Sequence, residues 1–480
     1  MQSSSFIIVG SGMAGLVAAW RLLERGHKVL VLEQADRAGG YFGGFTNAAG
    51  DRFDLAVSHL LGGLPGDNLS TLISSLGLDD QVSFEAVDIA DVMTIKGRRV
   101  ELPTGFDRLE QSLGEQFPDS GPDIHIFFQF MRAFLGEGNG DSREKGRFMM
   151  RNYRREFEAF CAETIVDPVL RSALAMRIQC DDSSLMIMAG FITECYAKGM
   201  VYPKGGVHKL IDAIVERIRQ VGGTVEFGAK VTDFIILDAR VDSVVLADGS
   251  VRTADVILYN GDAPTLSRTL EARGHPGIDD ECRRRGHSSL SIFLTLLDAD
   301  LSRFAGVARF YLTETDDVFE TYRVLETGVL PENPVIKLHF MSRIDDGLSV
   351  DGRDLIRVEV DMYHDSAVHD EDFYADYARQ IETIIAHDLV PEIDTHVVYR
   401  RVVTPIDYER WFGHTGGSAT GWAHDVNNYM IHRMNQRTSI ENLFITGQWG
   451  EHGSGLPQLI ASADKSVTLA EQWLRKRAAA

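Results

Sequence analysis

Four apolar residues, Phe6-Ile7-Ile8-Val9, run without a polar break and stop at Gly10-Ser11-Gly12-Met13-Ala14-Gly15. A run this short, closed by glycine, reads as a buried strand. Over residues 16–25 the apolar positions take helical spacing, Gly26 ends that helix, and 28–32 is a second apolar strand with Glu33 at its end. In the middle of the chain, Leu210, Ile211, Ile214 and Ile218 fall on one face of a helix over 207–219. Gly222-Gly223 turns the chain into strands at 224–227 and 229–231, and Asp248-Gly249 joins 241–246 to 251–259 as a hairpin. Near the end, 442–446 is a short strand, and a helix over 458–475 begins just after Pro457, a residue suited to a first helical turn because its missing N–H needs no partner there.

Two long stretches separate these elements. Residues 81–199 read as mostly helical, with strongly apolar segments at 124–135 and 185–192. Residues 291–414 read as strand-rich, with strands at 291–296, 335–340 and 355–363 and a helix at 371–387. The Phe- and Met-rich segments are read as ordinary core, with a substrate tunnel or a lipid-facing patch as the sharper alternative.

The first pattern carries chemistry. A strand that feeds G-x-G-x-x-G and opens a helix points backbone N–H groups and a helix N-terminus at one place, which suits a pyrophosphate. Gly10 permits the tight turn, Gly12 clears space for the phosphates, and Gly15 lets the helix approach the strand. Glu33, 23 positions after Gly10, stands where a ribose hydroxyl needs an acceptor. The expected fold is α/β with a Rossmann-like dinucleotide-binding domain.

Composition narrows the class. A 480-residue chain with 44% hydrophobic and 25% charged residues is a globular protein with room for two domains. A net charge of -22 argues against a nucleic-acid partner and against docking on anionic membranes. Cys161, Cys180, Cys195 and Cys282 show no C-x-x-C spacing, which fits a reducing, cytoplasmic setting without a structural metal. The start of the chain lacks the basic region of a signal peptide, and no apolar run is long enough for stable membrane insertion.

After Glu33 come Gln34-Ala35-Asp36-Arg37-Ala38-Gly39-Gly40-Tyr41, then Arg52-Phe53-Asp54, later Tyr202-Pro203-Lys204-Gly205-Gly206 before a helix, and at the end Gly447-Gln448-Trp449-Gly450-Glu451-His452-Gly453-Ser454-Gly455-Leu456-Pro457. This order resembles the phytoene desaturase and carotenoid isomerase-like members of the flavin amine oxidase superfamily, across most of the chain. The resemblance implies FAD. It implies that Gly10, Gly12, Met13, Ala14, Gly15 and Glu33 hold the nucleotide, and that Gln34, Gly39, Gly40 and Tyr41 pass close to it. The backbone of Val231 would meet the adenine. Gly447, Gln448, Gly455, Leu456 and Pro457 would bring a helix start to the pyrimidine edge of the flavin. Gln448 departs from the family, which usually has an acidic residue there, and Gly43-Gly44 reads as a surface loop. Because these motifs lie at the start, middle and end, the FAD domain is expected from 1–80, 200–290 and 415–480. An inserted α+β substrate domain is expected from 81–199 and 291–414.

No nucleophilic triad or metal-ligand spacing stands out. Three histidines are candidates to act beside the flavin: His59 after the Arg52-Phe53-Asp54 segment, His414 before the glycine-rich 416–421, and His452 in the last loop. The expected activity is dehydrogenation of a C–C or C–N bond in a small or medium-sized, largely apolar metabolite by hydride transfer to flavin N5. A redox-neutral isomerase and a non-catalytic flavin-binding partner protein are the alternatives. The residues name no electron acceptor and leave a homodimer open.

Overall fold

The computed structural model describes residues 5–136, 142–278, 283–304, 307, 309–365, 367–428 and 434–479. Strand Ser5–Val9 lies at the centre of a five-stranded parallel sheet, in the order 224–226, 28–32, 5–9, 256–259, 443–445. Its residues are covered on both faces, which is why the sequence shows a continuous apolar run and not an alternation. Helices Met13–Glu24, Val207–Gln220 and Leu456–Ala479 bury one face through Leu16, Val17, Ile211, Ile214, Ile460 and Val467. A three-stranded antiparallel sheet, 231–237, 240–246 and 251–253, covers the other through Phe234 and Val244.

The expected hairpin arm over 251–259 is two strands. Val251–Thr253 stays in the antiparallel sheet, and Val256–Tyr259 crosses to the parallel one. Asp255 makes the crossing by accepting from Ser5 N at 2.8 Å and Ser5 Oγ at 2.9 Å. Ala229 and Lys230 are likewise not strand; the strand begins at Val231.

A seven-stranded sheet of order 397–403, 288–296, 354–362, 336–339, 309–313, 89–95, 98–103 forms the second layer. The segment 81–199 is therefore not mostly helical from its start: Phe84–Val87, Ile89–Ile95 and Arg98–Pro103 are strands, and helices follow from Phe106. Ala90, Val92, Met93 and Ile95 are all fully buried, so the alternation that marks a half-exposed strand is missing. The apolar segments are helices Gly121–Leu135 and Leu185–Ile192, whose Phe127, Phe128, Met131 and Met188 pack into the core under this sheet. They are mainly core, with Ile126 exposed and Phe191 half-buried at its edge.

Among the described residues, no helix is long and apolar enough to cross a membrane. Cys161, Cys180 and Cys195 are buried free thiols, and Cys282 lies outside the described residues.

Candidate functional site

The glycine turn has the expected geometry, with a reason for each glycine. Gly10 has φ +96° and donates its N–H to Leu32 O at 2.8 Å, which ties the turn to the second strand. A Cβ on Gly15 would lie 2.2 Å from Gly10 O, so only glycine lets the helix sit this close. A Cβ on Gly12 would lie 2.9 Å from Asn260 Nδ2. No side chain caps helix Met13–Glu24. Its first N–H groups are available to an anion, with the positive end of the helix dipole behind them.

Glu33 is buried and braces the turn, accepting from Ser11 N at 2.8 Å, Ser11 Oγ at 2.6 Å and Ala35 N at 2.9 Å. A carboxylate offers about four lone-pair sites, so room remains for a hydroxyl donor. Gly39 bridges to Gly12 as a parallel pair and donates to Ser11 O at 3.0 Å, which lays the second glycine loop against the first. Tyr41 is tied down by its hydroxyl, which donates to Gly417 O at 2.8 Å. Gly43 and Gly44 are not a surface loop. They are buried, and a Cβ on Gly44 would lie 2.5 Å from Phe53 O, so the pair permits a close strand contact.

A cavity of about 280 Å³ lies over the turn. Gly10, Gly12, Met13, Ala14, Glu33 and Gln34 line it, as do Gly39, Gly40, Tyr41, Val231 and Gln448. It shares Glu33, Gln34, Gly40, Lys230 and Phe412 with a second cavity of about 480 Å³, giving one long cleft. Gly15, Gly447, Gly455, Leu456 and Pro457 do not line it. Gly447 N donates to Ser462 Oγ at 2.9 Å, and a Cβ there would lie 2.4 Å from Asn260 Oδ1. Gly455 (φ +104°) precedes helix Leu456–Ala479, with Pro457 in its first turn. Gln448 Nε2 is buried, lines the cavity and has no partner within the protein. An uncapped helix start, a side-chain-free turn and an orphaned amide donor together fit a dinucleotide.

The flavin containing amine oxidoreductase family matches residues 13–283, more than half of the chain. The chain belongs to that family. It is similar to the phytoene desaturase of Neurospora crassa, 24% identical over 96% of this chain and 83% of that protein. It is also similar to the zeta-carotene-forming phytoene desaturase of Myxococcus xanthus, 26% identical over 96% and 93%. Among solved structures, an oxidoreductase from Methanosarcina mazei shares the fold with a TM-score of 0.60, at 16% identity over 96% of this chain and 99% of that one. This member of the family is an FAD-dependent oxidoreductase.

Asn260, after strand Val256–Tyr259, has no counterpart among the sequence-derived candidates. It lines the cleft, donates weakly from Nδ2 to Gly10 O at 3.4 Å, and occupies the space that a Cβ on Gly12, Gly15 or Gly447 would need. An asparagine closing an apolar strand was the signal available. Asp262, two residues on, caps helix Ala263–Ala272 through Thr265 N and accepts from Thr415 Oγ1 at 2.5 Å.

The three candidate histidines are not brought together. His414 lines the nucleotide cleft, where its Nδ1 accepts from Trp449 Nε1 at 2.9 Å. Burial lowers its pKa, partly offset by Asp262, whose Oδ1 is 3.9 Å away. His452 is half-buried on the last loop and lines neither this cleft nor the cavity of His59.

His59 lines a separate cavity of about 210 Å³ between the loop 56–59 and the seven-stranded sheet. Ser58 Oγ lies 3.2 Å from His59 Nδ1 and 2.9 Å from His339 Nδ1, bridging the two rings. Burial first, then Arg177 and Arg357, bring the His59 pKa down to about 3. His339 is lowered as well, by burial and then Arg357. Both rings are neutral near pH 7. A single hydroxyl donates to one Nδ1 and accepts from the other, so the two Nε2 atoms are one donor and one acceptor. Phe191 lines this cavity and lies 3.7 Å from where a Gly455 Cβ would stand, linking it to the start of the last helix.

Proposed function

We propose that this chain dehydrogenates a C–C bond of a small or medium-sized metabolite with a largely apolar body, and that the reaction takes place between the start of helix Leu456–Ala479 and the His59 cavity. The observation that supports the reading most is the position of Phe191, which stands beside the Gly455 turn, 3.7 Å from where a Cβ on Gly455 would lie, and also lines the cavity. The resemblance to two phytoene desaturases favours a C–C over a C–N bond.

FAD, when bound, supplies the two-electron acceptor. In this reading Met13 and Ala14 N–H groups hold the pyrophosphate, Glu33 accepts from the ribose, and Val231 meets the adenine. Gly447 and Gln448 close the cleft, the Gln448 amide standing as a neutral donor in place of the family's acidic group. His59 Nε2 takes the proton that must leave when the double bond forms. Because an imidazolium is disfavoured there, His59 passes its Nδ1 proton to Ser58 Oγ as the new proton arrives, and Ser58 passes its own to His339 Nδ1. The positive charge moved to His339 in this way is met by Glu359, whose Oε2 lies 3.8 Å from His339 Nε2, which suits a buried site. His414 then serves the cofactor and His452 the loop, and neither takes part in proton transfer.

The experiment is anaerobic mixing of holoenzyme with a panel of compounds that have apolar bodies, from phytoene in detergent to medium-chain alkenoic acids. Bleaching of the flavin absorbance, matched by formation of a more conjugated product, is the expected result. His59→Gln should slow bleaching about 100-fold, the usual scale for losing a positioned base, and keep its FAD. Turnover to an isomer without bleaching would contradict the reading.

A further inference from the structure

The cavity beside His59 is the wrong environment for a pure hydrocarbon. Arg177, Arg309, Lys337 and Arg357 line it, and Arg309 and Arg357 are more than nine-tenths buried. They are paired as follows. Arg177 and Arg309 share Asp91, at 2.8 and 2.6 Å. Lys337 reaches Asp361 at 2.6 Å and Glu359 at 3.2 Å, and Arg357 reaches the same Glu359 at 3.1 Å. Four cations thus face three carboxylates. Asp54, whose carbonyl accepts weakly from Arg357 Nη1 at 3.4 Å, turns its carboxylate instead to Tyr202 OH at 2.6 Å and Val207 N at 2.8 Å.

The hydrogen-bond account leaves the same remainder. Arg357 Nε is buried with no hydrogen-bond partner, and so are the Nε2 atoms of His59 and His339, the latter 3.8 Å from Glu359 Oε2 and beyond hydrogen-bond distance. Arg357 Nε–H is a donor at any accessible pH, and one of the two imidazole Nε2 atoms carries a hydrogen. A buried cation in excess and two unmet donors are costly unless something supplies charge and acceptors. A carboxylate supplies one negative charge and two acceptor oxygens.

We propose that the substrate of this cavity carries a carboxylate, held by Arg357 and by His339, whose Nε2 bears the hydrogen when His59 Nε2 is the acceptor, with an apolar body extending away from it. This deepens the dehydrogenation reading and rests on it for the assignment of the cavity as the substrate site. A carboxylate anchored at Arg357 fixes which bond of the chain lies beside His59, so the anchor selects the position of dehydrogenation as well as the substrate.

The test uses FAD-loaded full-length protein and three probes of equal length: octanoate, 1-octanol and octylamine. Each is titrated while the visible flavin spectrum is followed. Octanoate is expected to perturb the spectrum saturably and to bind at least 10-fold more tightly than the other two, the scale of one charge-assisted hydrogen bond. Arg357→Met should weaken octanoate at least 10-fold with FAD content unchanged, and Arg357→Lys should recover part of the loss. If Arg357→Met alone does not fold, the double variant Arg357→Met/Glu359→Met removes both members of the pair and is read in its place. Equal binding of 1-octanol or octylamine, no response to octanoate, or unchanged octanoate binding in the methionine variant overturns the proposal. Bleaching by phytoene without an octanoate response overturns the carboxylate and leaves dehydrogenation standing. An octanoate response lost in Arg357→Met, with no bleaching by phytoene or by alkenoic acids, does the reverse.

Discussion

Trp449 Nε1 donates to His414 Nδ1 at 2.9 Å, and the two rings stack with centroids 5.8 Å apart. The bond fixes the tautomer, leaving the hydrogen of His414 on Nε2, in a ring that lines the nucleotide cleft. His414→Ala should therefore weaken FAD retention by about 10-fold, the equivalent of one hydrogen bond. Its flavin-reduction rate at saturating FAD should stay within a few-fold of wild type. Trp449→Phe keeps the stack and loses the donor, and should give a smaller effect in the same direction. Fluorescence titration of FAD into apoprotein checks the first point and stopped-flow reduction the second. A large fall in the reduction rate with unchanged FAD affinity would return His414 to the chemistry.

Glu33 has a second duty besides the ribose, because its carboxylate holds Ser11 and Ala35 in place. Glu33→Ala should accordingly cost stability as well as FAD affinity, by roughly 1–3 kcal/mol for the unmet N–H groups. Glu33→Gln keeps an acceptor oxygen and should lose less. Urea unfolding of both apoproteins separates the structural part from the binding part.

Asp91 is fully buried, shared by Arg177 and Arg309, and accepts from Tyr196 OH at 2.6 Å. Asp91→Asn leaves two buried guanidinium groups short of a counter-charge. The expected loss of stability is about 3–5 kcal/mol, measured by chemical denaturation. A change below about 1 kcal/mol would mean that water reaches the arginines.

How much of this was readable in the sequence depends on where each signal lay. The glycine turn, Glu33 and the last helix are each marked within a few consecutive residues, and each element stands within a few positions of its expected place. Gly43 and Gly44 were misplaced because close backbone packing against Phe53 leaves no local mark beyond the glycines themselves. The charged cavity was missed because its residues come from loop 56–59, from 176–179 and from three strands that meet only in the folded sheet. A trace of it is present. Arg357, Glu359 and Asp361 alternate along strand Asp354–Met362, and Lys337 and His339 along Ile336–His339, so each set lies on one face of an otherwise apolar strand. Polar alternation in a strand normally marks the solvent side. Only the sheet order, with neighbours covering both strands, turns it into a buried site.

The buried histidines make stability depend on acid. For His59 the folded pKa of about 3 lies below the unfolded value near 6.5, so the unfolded chain binds the extra proton between these values. The contribution is fully present above pH 6.5 and is lost as pH falls toward 3. His339, also lowered, acts in the same direction. Each contributes at most about 1.4 kcal/mol per pH unit in that window. The double variant His59→Gln/His339→Gln should flatten the fall in unfolding free energy between pH 6.5 and 4.5, a range in which most carboxylates are still ionised. An unchanged slope would show that these rings already carry protons in the folded state.

The most direct test of the central claim is the FAD content and visible spectrum of the purified protein, wild type beside Gly12→Val, after loading with FAD and removing the excess. A Cβ at position 12 would stand 2.9 Å from Asn260 Nδ2, and the two methyl groups beyond it would extend into the cleft over the turn. Wild type should retain stoichiometric FAD with a protein-shifted spectrum, and Gly12→Val should retain none while showing a native circular dichroism spectrum. Folded wild-type protein that keeps no flavin, or a valine variant that is fully loaded, would contradict the account.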